Sequence, residues 1–335
     1  MKVGEIDRAP MAFFAHDGQL VISGITRDQI HETPVWTYTP GGTVAKASRL
    51  PEWCESGAAG FSAGGMIHLV PEAWQGMVLY TARSPRGPWT RHDFTSLNPH
   101  DYKDLKWGFA TLDPDTGHQY LGFGNADHPG LMLIRDGEWK LFAATREMRF
   151  PTAVSDITQG LNAGSTLVST STYGQSRLHL VRPDGGVQTL REFSVWGFAR
   201  VDNADGLAYM ALEDGRVMWS TVSDLINWKE CQYHKPSGAV GRIEILGEPQ
   251  RHPRTGRMLL PTRDSVAGAV GLYEPGWVKG ELVLRQVAWL EGAGDWAVKL
   301  TEVDGRMYLG AGLRTNVPED RTPGGIYRLE IVAGD

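Results

Sequence analysis

Two near-copies of one segment limit what this chain can fold into. WGFATLDPDTG begins at Trp107 and WGFARVDNADG begins at Trp196, eighty-nine residues later. That interval is about twice a 45-residue unit, and PTAVSDITQG starts near its midpoint, at Pro151. Upstream, AGFSAGG puts Phe61 forty-eight residues before Phe109, and APMAFFAHDG puts Phe13 forty-eight residues before Phe61. Downstream, GRIEILGEP and DWAVKLTEVDG continue the series. First strands are expected near residues 11, 60, 108, 152, 197, 242 and 296, which makes seven units.

Within each unit the residues read as short strands joined by tight turns. MAFFAHDGQLVISG (Met11–Gly24) is strand, Asp-Gly turn, strand, and GLMLIRDGEWKLFAA (Gly130–Ala144) has the same form. Asp-Gly and Gly-Gly dipeptides between β-rich runs are hairpin signals, because both central residues of such turns need positive φ. Trp89, Trp139 and Trp228 each begin a short terminal run, and TVAKASRL, VQTLREF and ELVLRQV take the same place without Trp. Four antiparallel strands per unit is the strand count of a propeller blade. GGIYRLEIV gives the seventh unit a third strand and no fourth, while KVGEI precedes the first unit without a partner. The expected fold is therefore all-β: a seven-bladed β-propeller of four-stranded antiparallel blades, closed by pairing of the N- and C-terminal strands. It is read as a single domain spanning residues 1–335. Six or eight blades, a β-sandwich, or two β domains are the alternatives.

Composition agrees: 41 Gly, 19 Pro and 12 Trp suit short strands, tight loops and large apolar covers. A net charge of -6 argues against a general nucleic-acid surface, which needs a basic footprint. No apolar run is long enough to span a bilayer, so no membrane partner is expected. MKVGEIDRAP lacks the apolar core of a signal peptide, which points to the cytoplasm or to a larger particle. Cys54 and Cys231 imply no disulfide framework; each fits a buried thiol, and a single bridge between them stays open. No zinc, phosphate-loop, dinucleotide or nucleophile-elbow motif is present, so no cofactor and no metal are expected. DPDTG (Asp113–Gly117) and DNADG (Asp202–Gly206) resemble fragments of calcium loops but lack the full spacing, and are read as hairpin turns.

YTARSPRGPW (Tyr80–Trp89) resembles the blade turns of five-bladed glycosidase propellers, where a strand leads through Ser-x-x-x-Gly-Pro-Trp into the outer strand. WSTVSDLINW (Trp219–Trp228) resembles the same turn and the degenerate Asp-boxes of sialidase-like proteins. Ser223, Asp224, Asn227 and Trp228 keep the residue types of that box without its spacing. The resemblance covers two blade turns and implies a propeller directed at carbohydrate. It does not carry a hydrolytic role to these turns, which lie away from the central pocket in such proteins. Trp89, Trp139 and Trp228 are read as covers over strand junctions.

In a propeller the first strand of each blade lines the axis, so unusual polar residues there are the candidates for chemistry. These are Asp156, Arg200, Glu244 and Lys299. A glycosidase needs two carboxylates across the sugar, which assigns Asp156 and Glu244 as catalytic, with Arg200 and Lys299 binding substrate. Trp53 and Trp74, in the atypical insertions LPEWCESGAAG and VPEAWQG, join them as substrate-binding aromatics; Trp36 and Trp277 share their turn-rich setting. The third inner-strand acid of five-bladed glycosidases has no match. A sialidase scheme draws on Arg200, Arg242, Arg263 and Tyr327, and a lyase scheme on His68, Tyr80, His92 and Arg200. Three functions stay open: a glycoside hydrolase, a polysaccharide lyase, and a non-catalytic propeller that binds glycan or protein within a larger assembly such as a phage tail. The expected partner is an oligosaccharide or polysaccharide.

Overall fold

The computed structural model describes residues 1–6, 10–24, 33–51, 58–71, 77–98, 107–124, 131–135, 139–145, 150–172, 174–234, 243–245, 249–252, 256–264, 269–291, 293, 296–312 and 324–329. It is an all-β, seven-bladed β-propeller whose sheets are antiparallel apart from one parallel edge in blade 6. The chain divides into two compact units, Met1–Thr95 with Ala293–Asp335, and Ser96–Gly292.

The first unit holds three blades. Blade 1 is Pro10–His16, Gln19–Gly24, Thr33–Tyr38 and Val44–Leu50; blade 2 is Ala58–Ala63, Met66–Pro71, Val78–Ala82 and Thr90–Asp93. Blade 7 is Trp296–Val303, Arg306–Gly312 and Gly324–Leu329, with Lys2–Ile6 as its outer strand. The pairing of the two ends expected from KVGEI and GGIYRLEIV is thus present, in the register Lys2↔Tyr327 to Ile6↔Gly324. Two-residue turns at Asp17-Gly18, Gly64-Gly65 and Asp304-Gly305 join the first and second strands of these blades, and all six residues have positive φ.

The second unit holds four blades. Blade 3 is Trp107–Leu112, Gln119–Gly124, Leu131–Arg135 and Lys140–Thr145; blade 4 is Phe150–Asp156, Thr166–Thr172, Gln175–Val181 and Val187–Phe193. Blade 5 is Gly197–Asp202, Leu207–Leu212, Val217–Thr221 and Asp224–Glu230. Blade 6 departs from the pattern. At the first-strand position the described strand residues are Ile243–Ile245 and Gln250–Arg251, and both stretches pair with Met258–Asp264. Ala269–Val278 and Glu281–Glu291 then form a long hairpin, and Gln232–His234 adds to its outer edge in parallel.

Within each unit the core is a set of layers between blades. Successive residues of an inner strand point to opposite faces, and here both faces are covered. Phe13 packs with Tyr38, Tyr308 and Ile326 between blades 7 and 1, while Phe14 packs with Leu50, Leu69 and Tyr80 between blades 1 and 2. Met210 likewise faces Leu178 and Trp228 on one side of blade 5, while Tyr209 faces Leu260 and Tyr273 on the other. This is why Leu207–Leu212 reads apolar throughout and is wholly buried. Each large side chain buried this way contributes roughly 1.5–3 kcal/mol. Outer strands cover one face only, so Val187–Phe193 buries Phe193 and leaves most of the strand wet.

Trp89 and Trp228 are structural covers. Trp89 packs on the layer between blades 1 and 2 and donates its indole N–H to Ser48 at 3.2 Å. Trp228 is buried and donates to the Leu225 carbonyl at 2.8 Å. It does not begin the outer strand of blade 5, which starts four residues earlier at Asp224. The Asp224 carboxylate accepts the Ile226 and Asn227 amides, which fixes that tight entry.

Candidate functional site

The first-to-second strand turns of blades 3 and 5 share a carboxylate cap, and that of blade 6 shares the backbone closure of blade 3. In DPDTG the Asp113 carboxylate accepts the Asp115 and Thr116 amides at 3.1 Å, and Gly117 N–H closes onto the Asp113 carbonyl at 2.9 Å. In DNADG the Asp202 carboxylate accepts the Ala204 amide at 3.1 Å. In blade 6, His252 takes the same place: its N–H donates to the Arg257 carbonyl at 2.7 Å and Gly256 N–H donates back to the His252 carbonyl. The Asp113 and Asp202 side chains cap their own turns.

The turns also tie blade to blade. Asp113 is fully buried, and its second oxygen accepts the Asp156 amide at 3.0 Å. Asn203 donates to Asp115 at 2.6 Å and to the Asp156 carbonyl at 2.9 Å, and accepts the Thr158 amide at 2.8 Å. Arg251 lies 3.2 Å from both Asp115 and Asp202, so one guanidinium joins turns from blades 3, 5 and 6. Burial pushes the Asp202 carboxyl above its ordinary range, against the opposing pull of Arg251.

Asp156 ends the first strand of blade 4, and its carboxylate turns toward blade 3. It accepts hydrogen bonds from Thr116 at 2.6 Å, Tyr120 at 2.6 Å and Thr166 at 2.8 Å, and meets His118 Nδ1 at 2.7 Å. Burial works to raise its pKa, but the four partners outweigh burial and hold the carboxyl below its usual range. The same contact raises the Tyr120 phenol, with burial the larger cause.

The other sequence candidates are spread over both units. Arg200 is buried in the first strand of blade 5, opposite Tyr209 in register. Glu244 lies in the first strand of blade 6, paired with Arg263. Lys299 is half-buried in blade 7, in the other unit, opposite Gly310. Trp53, Trp74 and Arg242 lie outside the described residues. Trp36 is a core residue at 7% exposure, whereas Trp277 is 52% exposed. Trp277 sits on the extended hairpin of blade 6 and meets Trp219 of blade 5 edge-on, with centroids 5.2 Å apart and an interplanar angle of 88°. Lys229 Nζ lies 5.3 Å from the centroid of the Trp219 ring. Cys231, in the same layer, is a buried thiol whose pKa burial pushes up to about 12.

Sequence reasoning did not single out Asp115, Thr116, His118, Tyr120, Asn203 or Arg251. The signal was present in the parallel turns DPDTG and DNADG, which place a capping Asp and a Gly at the same spacing in two blades.

The sheets and their order define the class: a seven-bladed β-propeller. No protein-family model matches the chain, and no curated protein matches it in sequence. Its fold is similar to a crystal structure of a protein from Lactobacillus plantarum, with a TM-score of 0.54 at 9% identity over 82% of this chain and 83% of that one. It is also similar to puromycin hydrolase, with a TM-score of 0.56 at 15% identity over 91% of this chain and 50% of that one. A serine-to-alanine mutant of that hydrolase complexed with PGG gives the same figures. This chain therefore spans about half the length of puromycin hydrolase. At these identities the likeness is one of fold, and propellers host many unrelated functions. Among the described residues no helix is long and apolar enough to cross a membrane.

Proposed function

We propose that this propeller recognises carbohydrate and binds it without cleaving it. The observation that carries this reading is the state of Asp156. A glycosidic acid must hold a proton near neutral pH, and a base or nucleophile must face the sugar. The Asp156 carboxylate is instead buried and taken up by four groups of its own protein, which keep it from giving a proton and from facing a sugar. Asp115 and Asp202 each lie 3.2 Å from Arg251. These carboxylates serve the joints between blades, which leaves recognition to side chains such as Trp277.

The test is incubation with a mixed panel of neutral and acidic oligosaccharides, with binding read by calorimetry and products by chromatography. Affinity without turnover is expected. Release of reducing sugar that is lost in folded Asp156→Asn and Glu244→Gln would establish a hydrolase instead. An unsaturated uronate product would establish a lyase.

A second reading, a protein-binding member of a larger assembly, is favoured by two bare aliphatic side chains. Leu161 is 87% exposed on the turn between the first two strands of blade 4, and Ile226 is 72% exposed in blade 5. A stable protein complex that forms without glycan would support it.

A further inference from the structure

We propose that Trp277 and Lys229 form a subsite for an acidic sugar, a uronate or sialate residue, at the rim between blades 5 and 6. The proposal rests on the carbohydrate-binding reading and gives it a place and a ligand class. Trp277 pairs with Leu282 in register, so the two share a face of the blade 6 hairpin. Leu282 is buried in the layer that also holds Trp219 and Cys231, and Trp277 stands at the margin of that layer. Trp219 in that layer is covered, at 7% exposure, whereas half of Trp277 meets solvent.

The indole is also held in place. It contacts Trp219 edge-on, and it lies two residues before the tight Lys279-Gly280 turn, where both residues have positive φ. A rigid half-bare indole suits the C–H face of a pyranose ring, since both are flat and apolar with polar edges. Lys229 supplies the charge. Its ammonium lies over the Trp219 ring, beside the indole that Trp277 touches, and its residue is exposed. The neighbouring Glu230 acts electrostatically on Arg216. Trp219 thus contacts the Trp277 indole edge-on and carries the Lys229 ammonium over its ring. A sugar stacked on Trp277 that turns a carboxylate toward that ammonium is favoured over its uncharged counterpart.

The experiment is titration calorimetry of the full chain with oligogalacturonate and sialyllactose. The methyl ester of the first and lactose serve as uncharged counterparts. Trp277→Ala is expected to weaken binding of the preferred acidic sugar by about tenfold or more, with Trp277→Phe recovering part of the loss. Lys229→Gln is expected to weaken the acidic sugar by about threefold and to leave its uncharged counterpart unchanged, an effect that added salt removes. Thermal melting of each variant separates loss of the site from loss of the fold. Acidic-sugar binding that survives both substitutions would overturn this subsite and leave the carbohydrate reading standing. Equal affinity for charged and uncharged sugars would overturn the acidic class. No binding of any of the four sugars by the unaltered chain would overturn the subsite, and absence of binding across the wider neutral and acidic panel would remove the carbohydrate reading itself.

Discussion

His179 shows what burial does to a single titratable residue. Its ring lies wholly inside blade 4, with Nε2 3.0 Å from Thr170 Oγ1 and Nδ1 3.1 Å from Thr189 Oγ1. Burial, helped by the nearby Arg177 charge, lowers its pKa from 6.5 to about 4. The folded state therefore takes up its proton at lower pH than the unfolded chain does. The stabilisation from keeping this ring neutral is full above pH 6.5, shrinks as pH falls below it, and is exhausted near pH 4. Between pH 6.5 and 5 the loss is on the order of 2 kcal/mol. His68, stacked on Phe61 at 4.8 Å and also lowered to about 4 by burial, acts in the same direction. Urea unfolding at several pH values is expected to show that slope, and His179→Gln is expected to be less stable at pH 7 with a shallower fall. An unchanged slope in that variant would show that His179 contributes nothing to acid sensitivity.

At the scale of strands, the Tyr-Leu-Gly triplet recurs at Tyr120–Gly122 and Tyr308–Gly310, in the second strands of blades 3 and 7. The glycine is required by the neighbouring blade. A Cβ at Gly122 would lie 2.6 Å from Pro151 of blade 4, and one at Gly310 would lie 2.8 Å from Pro10 and Phe13 of blade 1. Gly122→Ala and Gly310→Ala are each expected to destabilise by about 1–3 kcal/mol through overpacking. Gly276→Ala, whose Cβ would meet only Arg285 at 3.9 Å, is expected to be neutral or mildly stabilising. Denaturant midpoints decide between these, and a Gly122→Ala protein as stable as the parent would remove the close-approach argument. The strands themselves were legible in the sequence because their apolar runs and Asp-Gly turns are local signals. All seven expected starts fall within two residues of the observed first strands. The outer edge of blade 6 was not legible. WKECQY reads as one run, but Cys231 N–H turns to the Val217 carbonyl, and Gln232–His234 leaves blade 5 to pair with Val283–Arg285. The Asp156 cluster was legible only in part. Asp156 stood out as a charge on an inner strand, but its partners Thr116, His118 and Tyr120 lie 36 to 40 residues away and meet it through the packing of two blades.

At the scale of the whole molecule, the strand Lys2–Ile6 completes a blade built from the far end of the chain. It pairs with Gly324–Leu329 through the register Gly4↔Ile326, Glu5↔Gly325 and Ile6↔Gly324. The Arg328 amide donates to the Met1 carbonyl at 2.8 Å, and the Met1 ammonium donates to the Arg328 carbonyl at 2.9 Å. Ile6 is buried with Phe13, Tyr308 and Ile326, so it belongs to the layer between blades 7 and 1 as well as to the sheet edge. Removing residues 1–6 would take away the roughly 2 kcal/mol of that side chain's burial. It would also turn Gly324–Leu329 into an edge strand with unpaired backbone groups, which invite pairing with another chain. The truncated protein is therefore expected to melt at a lower temperature and to self-associate as concentration rises. Hydrogen exchange gives the sharper reading, because the Arg328 amide loses its acceptor while the amides between Arg306–Gly312 and Trp296–Val303 keep theirs. Fast exchange at Arg328 with slow exchange in the inner pair would mean that the N-terminal strand covers an edge. Fast exchange in both would mean that blade 7 folds only with it, so that formation of this blade waits on contact between residues more than three hundred positions apart.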